Sequence, residues 1–450
     1  MVVLWTDALI FMLVFGVGAL AIYMRRQESI QRPLRKIAQS SVGMGSLVVL
    51  VFFVLIGLLD SIHFKPTDGS STEIISCLDA WATPLRVHGE KTYSAPLAVT
   101  LYSKEITVLE GGATQWDYPR LVFGGSHLRY PEARRLTDVI KKTIDGFARG
   151  SALIGLPILL YLGWWYKIRS PKVGQSSLST STKAVLVVLF SIVSLSYTFI
   201  HLSGFYHVLG TDKVGEDVFY QAIKSIRTGL VLGTLTTLIM LPLAIVFGIL
   251  AGFFRGWLDD VIQYIYTTLN SIPSVLLIAA SILMVQVYMT NHEQAFSSVI
   301  VRADMRLLFL CLILGVTNWT GLCRLLRAET LKLREMEYVQ AAQALGVKQG
   351  MILIRHILPN VMHLVLISVV LDFSSLVLAE AVLSYINIGV DPTTYSWGNM
   401  INGARLEMAR EPLVWWSLSA AFVFMFTLVL AANLFADTVQ DAFDPRRSAD

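Results

Sequence analysis

Residues 337–360 read EYVQAAQALGVKQGMILIRHILPN, a polar interruption between two long apolar segments. Their local chemistry predicts a short helix, a tight turn and a second short helix. Helix formers with small Ala341, Ala342 and Ala344 run up to Gly346, which can take the left-handed conformation that ends a helix without a Cβ penalty. Leu358-Pro359 is expected to break the second piece. Proline disfavours helical geometry in the residue before it but suits the first position of a new helix, so a membrane span can begin there. A helical elbow at a membrane surface is a natural knob for a partner's groove; the plain alternative is an ordinary polar loop between two spans.

Composition agrees with the flanking segments. Of 450 residues 54% are hydrophobic and 15% charged, and the mean hydropathy is +0.61, which puts most of the chain in a bilayer. The net charge of +4 is small, and no basic groove with interleaved aromatics argues for nucleic acid. Cys77, Cys311 and Cys323 are far apart and form no CxxC pair, so neither a disulfide framework nor a zinc or redox site is implied. Enzymatic readings fail at the motif level. The chain has no Gly-Lys dipeptide and hence no Walker A loop. His292-Glu293 is followed by Phe296 where a zinc-protease helix needs histidine, and Gly124-Gly125-Ser126-His127-Leu128 lacks the last glycine of a nucleophile elbow. No residue is assigned a catalytic or metal-binding role.

Outward from the elbow, apolar runs give nine expected spans, near 8–24, 42–59, 151–166, 184–202, 226–253, 261–288, 307–323, 361–382 and 413–435. The first is read as an uncleaved helix, because Asp7 precedes it and Arg25, Arg26, Arg32, Arg35 and Lys36 follow it, the reverse of a signal peptide. Positive charges then place the N-terminus outside and the C-terminus in the cytoplasm. Residues 61–149 read as a small extracytoplasmic domain with β-prone pieces at 97–102 and 106–109 and an amphipathic helix over 131–147. Trp164 and Trp165 close the third span as interfacial aromatics. Pro273, within the sixth span, predicts a kink. Gly210-Thr211-Asp212 with Gly215 and Asp217 predicts a turn that caps the next helix.

Taken together, the spacing of Gln340-Ala341-Ala342, Gly346 and Leu358-Pro359 resembles the EAA loop of ABC importer permeases, with Gln340 at the usual glutamate position. The flanking Glu337-Tyr338 and Arg355-His356-Ile357-Leu358-Pro359-Asn360 look most like the dipeptide/oligopeptide branch. The Gly210–Asp217 turn, Ser396-Trp397-Gly398-Asn399-Met400 and Asp444-Pro445-Arg446 agree in order. Glu216 stands where that family often has arginine, and the first 200 or so residues have no counterpart in its compact members. The resemblance implies an all-α polytopic membrane protein with a type I ABC importer permease core of about six spans, here preceded by about three more. The expected layout is an N-terminal hairpin over 1–60, the outer domain over 61–149, a third span and cytoplasmic linker over 150–182, and the permease domain over 183–450.

The same resemblance implies a peptide importer's C-type permease subunit in the bacterial inner membrane, working with a sister permease, two ATPase subunits that bind ATP and Mg, and an extracytoplasmic binding protein. Tyr338, Ala341, Ala342 and Gly346 would shape the knob that docks into an ATPase subunit, with Glu337 and Gln340 on its rim. His356 is read as a structural histidine in preference to a titrating switch. Asp372 and Glu380, eight residues apart, fall near one face of a span; carboxylates there are expensive and mark a substrate pathway, unless both pair structurally with another helix or Glu380 lies near the outer interface and contacts water. Trp397 and Asn399 either line the outer mouth or contact the delivering protein, or, for Trp397 with Trp415 and Trp416, mark the aromatic belt. Nickel-chelate or antimicrobial-peptide uptake, and a membrane-anchored sensor acting through its outer domain, are the alternatives the residues leave open.

Overall fold

Apolar runs of about twenty residues must satisfy their backbone groups internally, which in lipid means helices. The computed structural model describes residues 3–24, 28–65, 74–108, 114–169, 178–296 and 298–443. In chain order these form α1 (Trp5–Met24), α2 (Glu28–Gln39), α3 (Ser41–Asp60), β1 (His63–Phe64), β2 (Ile75–Ser76), α4 (Cys77–Trp81), α5 (Thr83–Val87), β3 (Glu105–Val108) and β4 (Thr114–Asp117). There follow α6 (Pro131–Arg169), α7 (Thr180–Ser203), α8 (Val218–Phe254), α9 (Trp257–Ser271), α10 (Ser274–Asn291) and α11 (Val299–Arg334). The last set is α12 (Glu337–Ala344), α13 (Gln349–Ile352), α14 (Leu358–Tyr385), α15 (Trp397–Glu407) and α16 (Trp416–Phe443). Arg25 and Arg26, residues 175–177 of the linker, and Asp444-Pro445-Arg446 lie outside the described residues.

Seven helical stretches among the described residues are long and apolar enough to cross a membrane: Ser41–Asp60, Ala133–Trp164, Thr180–Ser203, Val218–Phe254, Ser274–Asn291, Gln349–Tyr385 and Trp416–Phe443. The two further expected spans correspond to α1, whose apolar stretch is the shorter Trp5–Gly16, and to α11, buried along much of its length.

Three local expectations are corrected. The amphipathic helix over 131–147 and the span over 151–166 are one continuous helix, α6, because no proline or turn cluster separates them. Residues 97–102 form no strand; only Thr100 bridges to Arg120, and Leu97 takes a positive φ that a strand does not allow. The expected kink at Pro273 is a full break: α9 stops at Ser271, Ile272 is extended (φ −90, ψ 130), and α10 restarts at Ser274, as the clash of a proline ring with the preceding residue dictates.

The chain forms two compact units. The first comprises 35–228 and 395–431. In it α7 packs against both α6 and α3, and β1/β2 and β3/β4 are short antiparallel pairs, with Glu105 opposite Asp117 in the second. The Gly210–Asp217 turn is its hub. Thr211 Oγ1 donates to the Thr92 carbonyl at 2.8 Å, and Asp217 caps α8 by accepting from the Phe219 and Tyr220 amides at 2.9 and 3.2 Å. The other Asp217 oxygen lies 2.7 Å from His207 Nδ1. Glu90 accepts from three successive amides, Val122, Phe123 and Gly124, at 2.9, 2.8 and 3.2 Å, and sits 3.5 Å from His207 Nε2.

The second unit comprises 3–34, 229–394 and 432–450. Its core joins Met240, Ala244, Ile249 and Phe253 of α8 to Trp319, Leu322, Cys323 and Leu326 of α11. The approach is close because Gly252 has no side chain: a Cβ there would meet Thr330 Cβ at 2.6 Å and the Arg327 carbonyl at 2.7 Å, the small-residue packing that membrane helices use. Asp304 of α11 anchors α1, accepting from the Trp5 and Thr6 amides at 3.0 and 3.3 Å and from the Thr6 hydroxyl.

Candidate functional site

The elbow grows out of the end of α11, which polar clamps hold to the α8–α9 turn. Arg327 grips Asp259 through two hydrogen bonds of 2.6 and 2.7 Å, the fork-on-fork geometry that suits guanidinium to carboxylate. Burial opposes this pair, but the Arg327 hydrogen bonds outweigh it and hold the Asp259 carboxyl below its ordinary range. Arg334 donates to the Phe253 carbonyl at 2.8 Å, and Arg255 pairs with Glu335 at 2.6 Å.

From this base α12 runs to Gly346, which adopts φ +74. The Val347 amide reaches back to the Ala342 carbonyl at 3.1 Å and the Gly346 amide to the Gln343 carbonyl at 3.0 Å, closing the helix in a glycine-capped turn. After α13 the chain does not break at Leu358-Pro359 as the sequence predicts. Residues Leu353–Ile357 form one π turn, with the Leu358 amide bonded to the Leu353 carbonyl, and lead straight into α14. Pro359 has no N–H for the carbonyl four residues back and its ring crowds that carbonyl; the wider turn accommodates both effects without ending the helix.

Burial divides the elbow into a base and a face. Val339, Ala342, Ile352 and Ile357 are buried in the unit's core, together with Leu333. Glu337, Tyr338, Gln340, Ala341 and Gly346 are exposed. Beside them stand Leu345 at 83%, Ile354 at 68% and Met351 at 54% exposure, apolar side chains that the sequence reading did not single out. For Met351 and Ile354 the signal is their i, i+3 spacing, which sets both on one face. Asn360 ties the two ends together, donating to Tyr338 Oη at 3.2 Å and to the His356 carbonyl at 2.7 Å. The half-buried His356 ring lies 6.1 Å from that of Tyr338.

The other singled-out residues lie elsewhere. In the second unit, Glu380 is buried and accepts from Ser384 Oγ at 2.7 Å, while Asp372, half-buried on the same helix, has a carboxylate without a partner among the described residues. In the first unit, Trp397 is fully buried and its indole donates to the Ala222 carbonyl at 3.0 Å. Asn399 follows the helix cap at Ser396, which accepts from its amide at 3.0 Å. Among the described residues no three His, Cys, Asp or Glu side chains group as metal ligands.

Comparison with known proteins identifies the frame. Residues 244–449, which include the whole elbow, match the model of the binding-protein-dependent transport system inner membrane component. The chain is 30% identical over 240 residues to the glutathione transport system permease protein of Pectobacterium atrosepticum, covering 53% of this chain and 73% of that one. The chain belongs to this family of inner-membrane transport components. Other relatives are the dipeptide transport system permease protein of Lactococcus lactis, 31% identical over 244 residues, and the oligopeptide transport system permease protein of Mycobacterium tuberculosis, 29% identical over 239. The first match covers 54% of this chain and 65% of the relative, the second 53% and 76%. Membership, with seven apolar helices, makes the chain a multi-pass inner-membrane protein. The elbow is thus a feature of the family portion, whereas residues 35–228, most of the first unit, precede the matched stretch.

Proposed function

We propose that this chain is the permease subunit of an ATP-driven importer of peptides and forms half of the translocation pathway. Support for the substrate class comes from the relatives, which are named for dipeptides, oligopeptides and glutathione; none of these favours nickel chelates or a sensor role. The observation that carries the coupling reading is the elbow's division into a buried base and an exposed apolar face.

In this reading two cytoplasmic ATPase subunits bind ATP and Mg and supply the hydrolysis. One of them receives Tyr338, Ala341, Leu345, Met351 and Ile354, with Glu337 and Gln340 as the polar rim and Ala342, Gly346, His356, Leu358 and Pro359 setting the elbow's shape. Both ends of the elbow are continuous with or clamped to long helices. A push on it during ATPase closure therefore moves α11 and α14 as levers, rocking the pathway between inward-open and outward-open states. A sister permease supplies the other half of the pathway, and an extracytoplasmic binding protein delivers the peptide. Asp372, unpaired among the described residues and within a span, is the foremost pathway candidate; Glu380 and Asn399 are secondary, and Trp397 acts by holding α15. The N-terminus lies outside and the C-terminus inside, with 61–149 forming an outer domain.

Hydrolysis of ATP by the reconstituted complex with its binding protein tests this against a panel of di- to oligopeptides and nickel chelates. Peptide stimulation is the expected result. Silence across the panel in an assembled complex overturns it.

A further inference from the structure

The N-terminal end of α11 carries a second feature that the coupling reading does not use. A cavity of about 740 Å³ opens there, lined by Gln286 and Met289 of α10, Glu293 of the following 3₁₀ turn, Arg302 and Arg306 of α11, and Asp391. Its size is that of small-ligand pockets. All these residues belong to the second unit. The 36 residues of α11 span about 54 Å, about 42 Å of it between Arg306 and the helix's end at Arg334, so the cavity and the elbow lie toward opposite ends of the same lever.

Arg302 and Arg306 are four residues apart and therefore share a helix face. Two like charges side by side are unfavourable unless something anionic lies between them. Asp391 forms a loose ion pair with Arg306 Nη1 at 3.7 Å, too long for a hydrogen bond, and Asp391 also accepts from the Thr393 amide and hydroxyl at 3.0 and 2.7 Å. Gln286, its amide oxygen facing α11, accepts from the two terminal nitrogens of Arg306 at 3.2 and 2.8 Å. That neutral acceptor orients the guanidinium without discharging it. The Arg306 Nε is buried with no acceptor among the described residues, and Arg302 is exposed at the cavity. Glu293 brings negative charge to the same cavity. Positive and negative groups in one small-molecule-sized space match a zwitterion, with its carboxylate on the arginines and its ammonium toward Glu293 or Asp391.

We propose that this cavity receives the peptide after delivery and that Arg302 and Arg306 bind its free α-carboxylate. The assignment rests on the peptide-importer reading. Arginine is suited to it because its planar fork meets carboxylate bidentately and stays charged at any physiological pH.

The test is uptake by proteoliposomes holding the full complex and its binding protein, comparing trialanine with trialanine amide for the wild type, Arg302→Gln and Arg306→Gln. The wild type should prefer the free acid, and Arg302→Gln should lower trialanine uptake efficiency by about tenfold, equivalent to ~1.4 kcal/mol, while leaving the amide unchanged. Arg302 carries the test because it is exposed; Arg306→Gln also releases Gln286 and serves as the second variant. Equal losses for both peptides overturn the proposal and make the arginines a docking point for the delivering protein. An unaltered preference in both variants overturns it outright. A wild type that moves peptides but prefers neither form refutes the carboxylate assignment alone, whereas one that moves neither peptide refutes the peptide reading and this assignment with it.

Discussion

The side-chain amide of Asn360 hydrogen-bonds the hydroxyl of Tyr338 at 3.2 Å, closing the elbow across 22 residues. The same nitrogen donates to the His356 carbonyl at 2.7 Å. One residue at the start of α14 therefore fixes both the first turn of α12 and the π turn. At an exposed site such a bond contributes about 0.5–1.5 kcal/mol, too little to hold the fold but enough to bias the elbow's conformation. Asn360→Ala is expected to lower peptide-stimulated ATP hydrolysis about three- to tenfold with the yield of assembled complex unchanged. Tyr338→Phe should reproduce the part that depends on the longer bond. Full stimulation in both variants would show that the clamp plays no part in coupling.

Gly346 offers a sharper case, because the surrounding space and the backbone requirement can be separated. Among the described residues a Cβ at this position would meet nothing within 4 Å, yet φ is +74. Side-chain bulk is thus tolerated and left-handed backbone is not, at a cost of about 1–2 kcal/mol for a residue other than glycine or asparagine. Gly346→Val should therefore reduce co-purification of the ATPase subunit with the tagged permease, and Gly346→Asn should retain most of it. Equal retention by both variants would mean that the turn's conformation does not matter for docking.

These two residues also mark how far the sequence could be read. The glycine cap was legible because it depends on neighbours within five positions and on a single φ. So was the Asp217 cap of α8, whose acceptor and donors lie two and three residues apart. Local rules forbid an ordinary turn at Leu358-Pro359 and so predict a break there; the π turn satisfies those rules by widening, with Ile352 and Ile357 buried in the core on either side. The Asn360–Tyr338 bond and the cavity around Arg302, Arg306 and Asp391 are set by where distant segments pass one another. No periodicity encodes that. Glu90 meets His207, 117 positions further along the chain, and within 61–149 β-propensity at 97–102 lost to packing of Ala98 and Leu101 against Leu121.

The exposed apolar face predicts a division between docking and stability. Leu345 and Ile354 are 83% and 68% exposed, so replacing either with aspartate removes no core contact and should change the stability of the isolated permease, followed by thermal melting, by no more than surface changes do, within about ±0.5 kcal/mol. If this face docks the ATPase, Leu345→Asp and Ile354→Asp should abolish co-purification, since a charge then enters an apolar interface. Val339→Asp, by contrast, should destabilise the permease itself, because Val339 is fully buried. Wild-type ATPase binding by both surface variants would remove the face from the interface.

The His207 cluster makes the stability of the first unit depend on pH, with a sign that the geometry determines. Burial works against a charged His207, but Asp217 at 2.7 Å and Glu90 at 3.5 Å outweigh it and raise its pKa from 6.5 to about 9. A folded-state pKa above the unfolded one means that the contribution is fully present below pH 6.5 and is lost as pH rises through about 9. Burial likewise opposes ionisation of Glu90, and its bonds to His207 and the three amides outweigh that, lowering its pKa from 4.5. Its contribution is present above pH 4.5 and is lost as pH falls through its folded-state value. The two together favour the unit most between about pH 4.5 and 6.5. His207→Gln keeps a donor toward Asp217 but carries no charge, so it should lower stability at pH 6 and flatten the decline between pH 7 and pH 9.5. Thermal unfolding of the purified permease across that range, followed by a probe in the first unit, checks this. A decline of equal slope in wild type and variant would assign the alkaline limb to other groups.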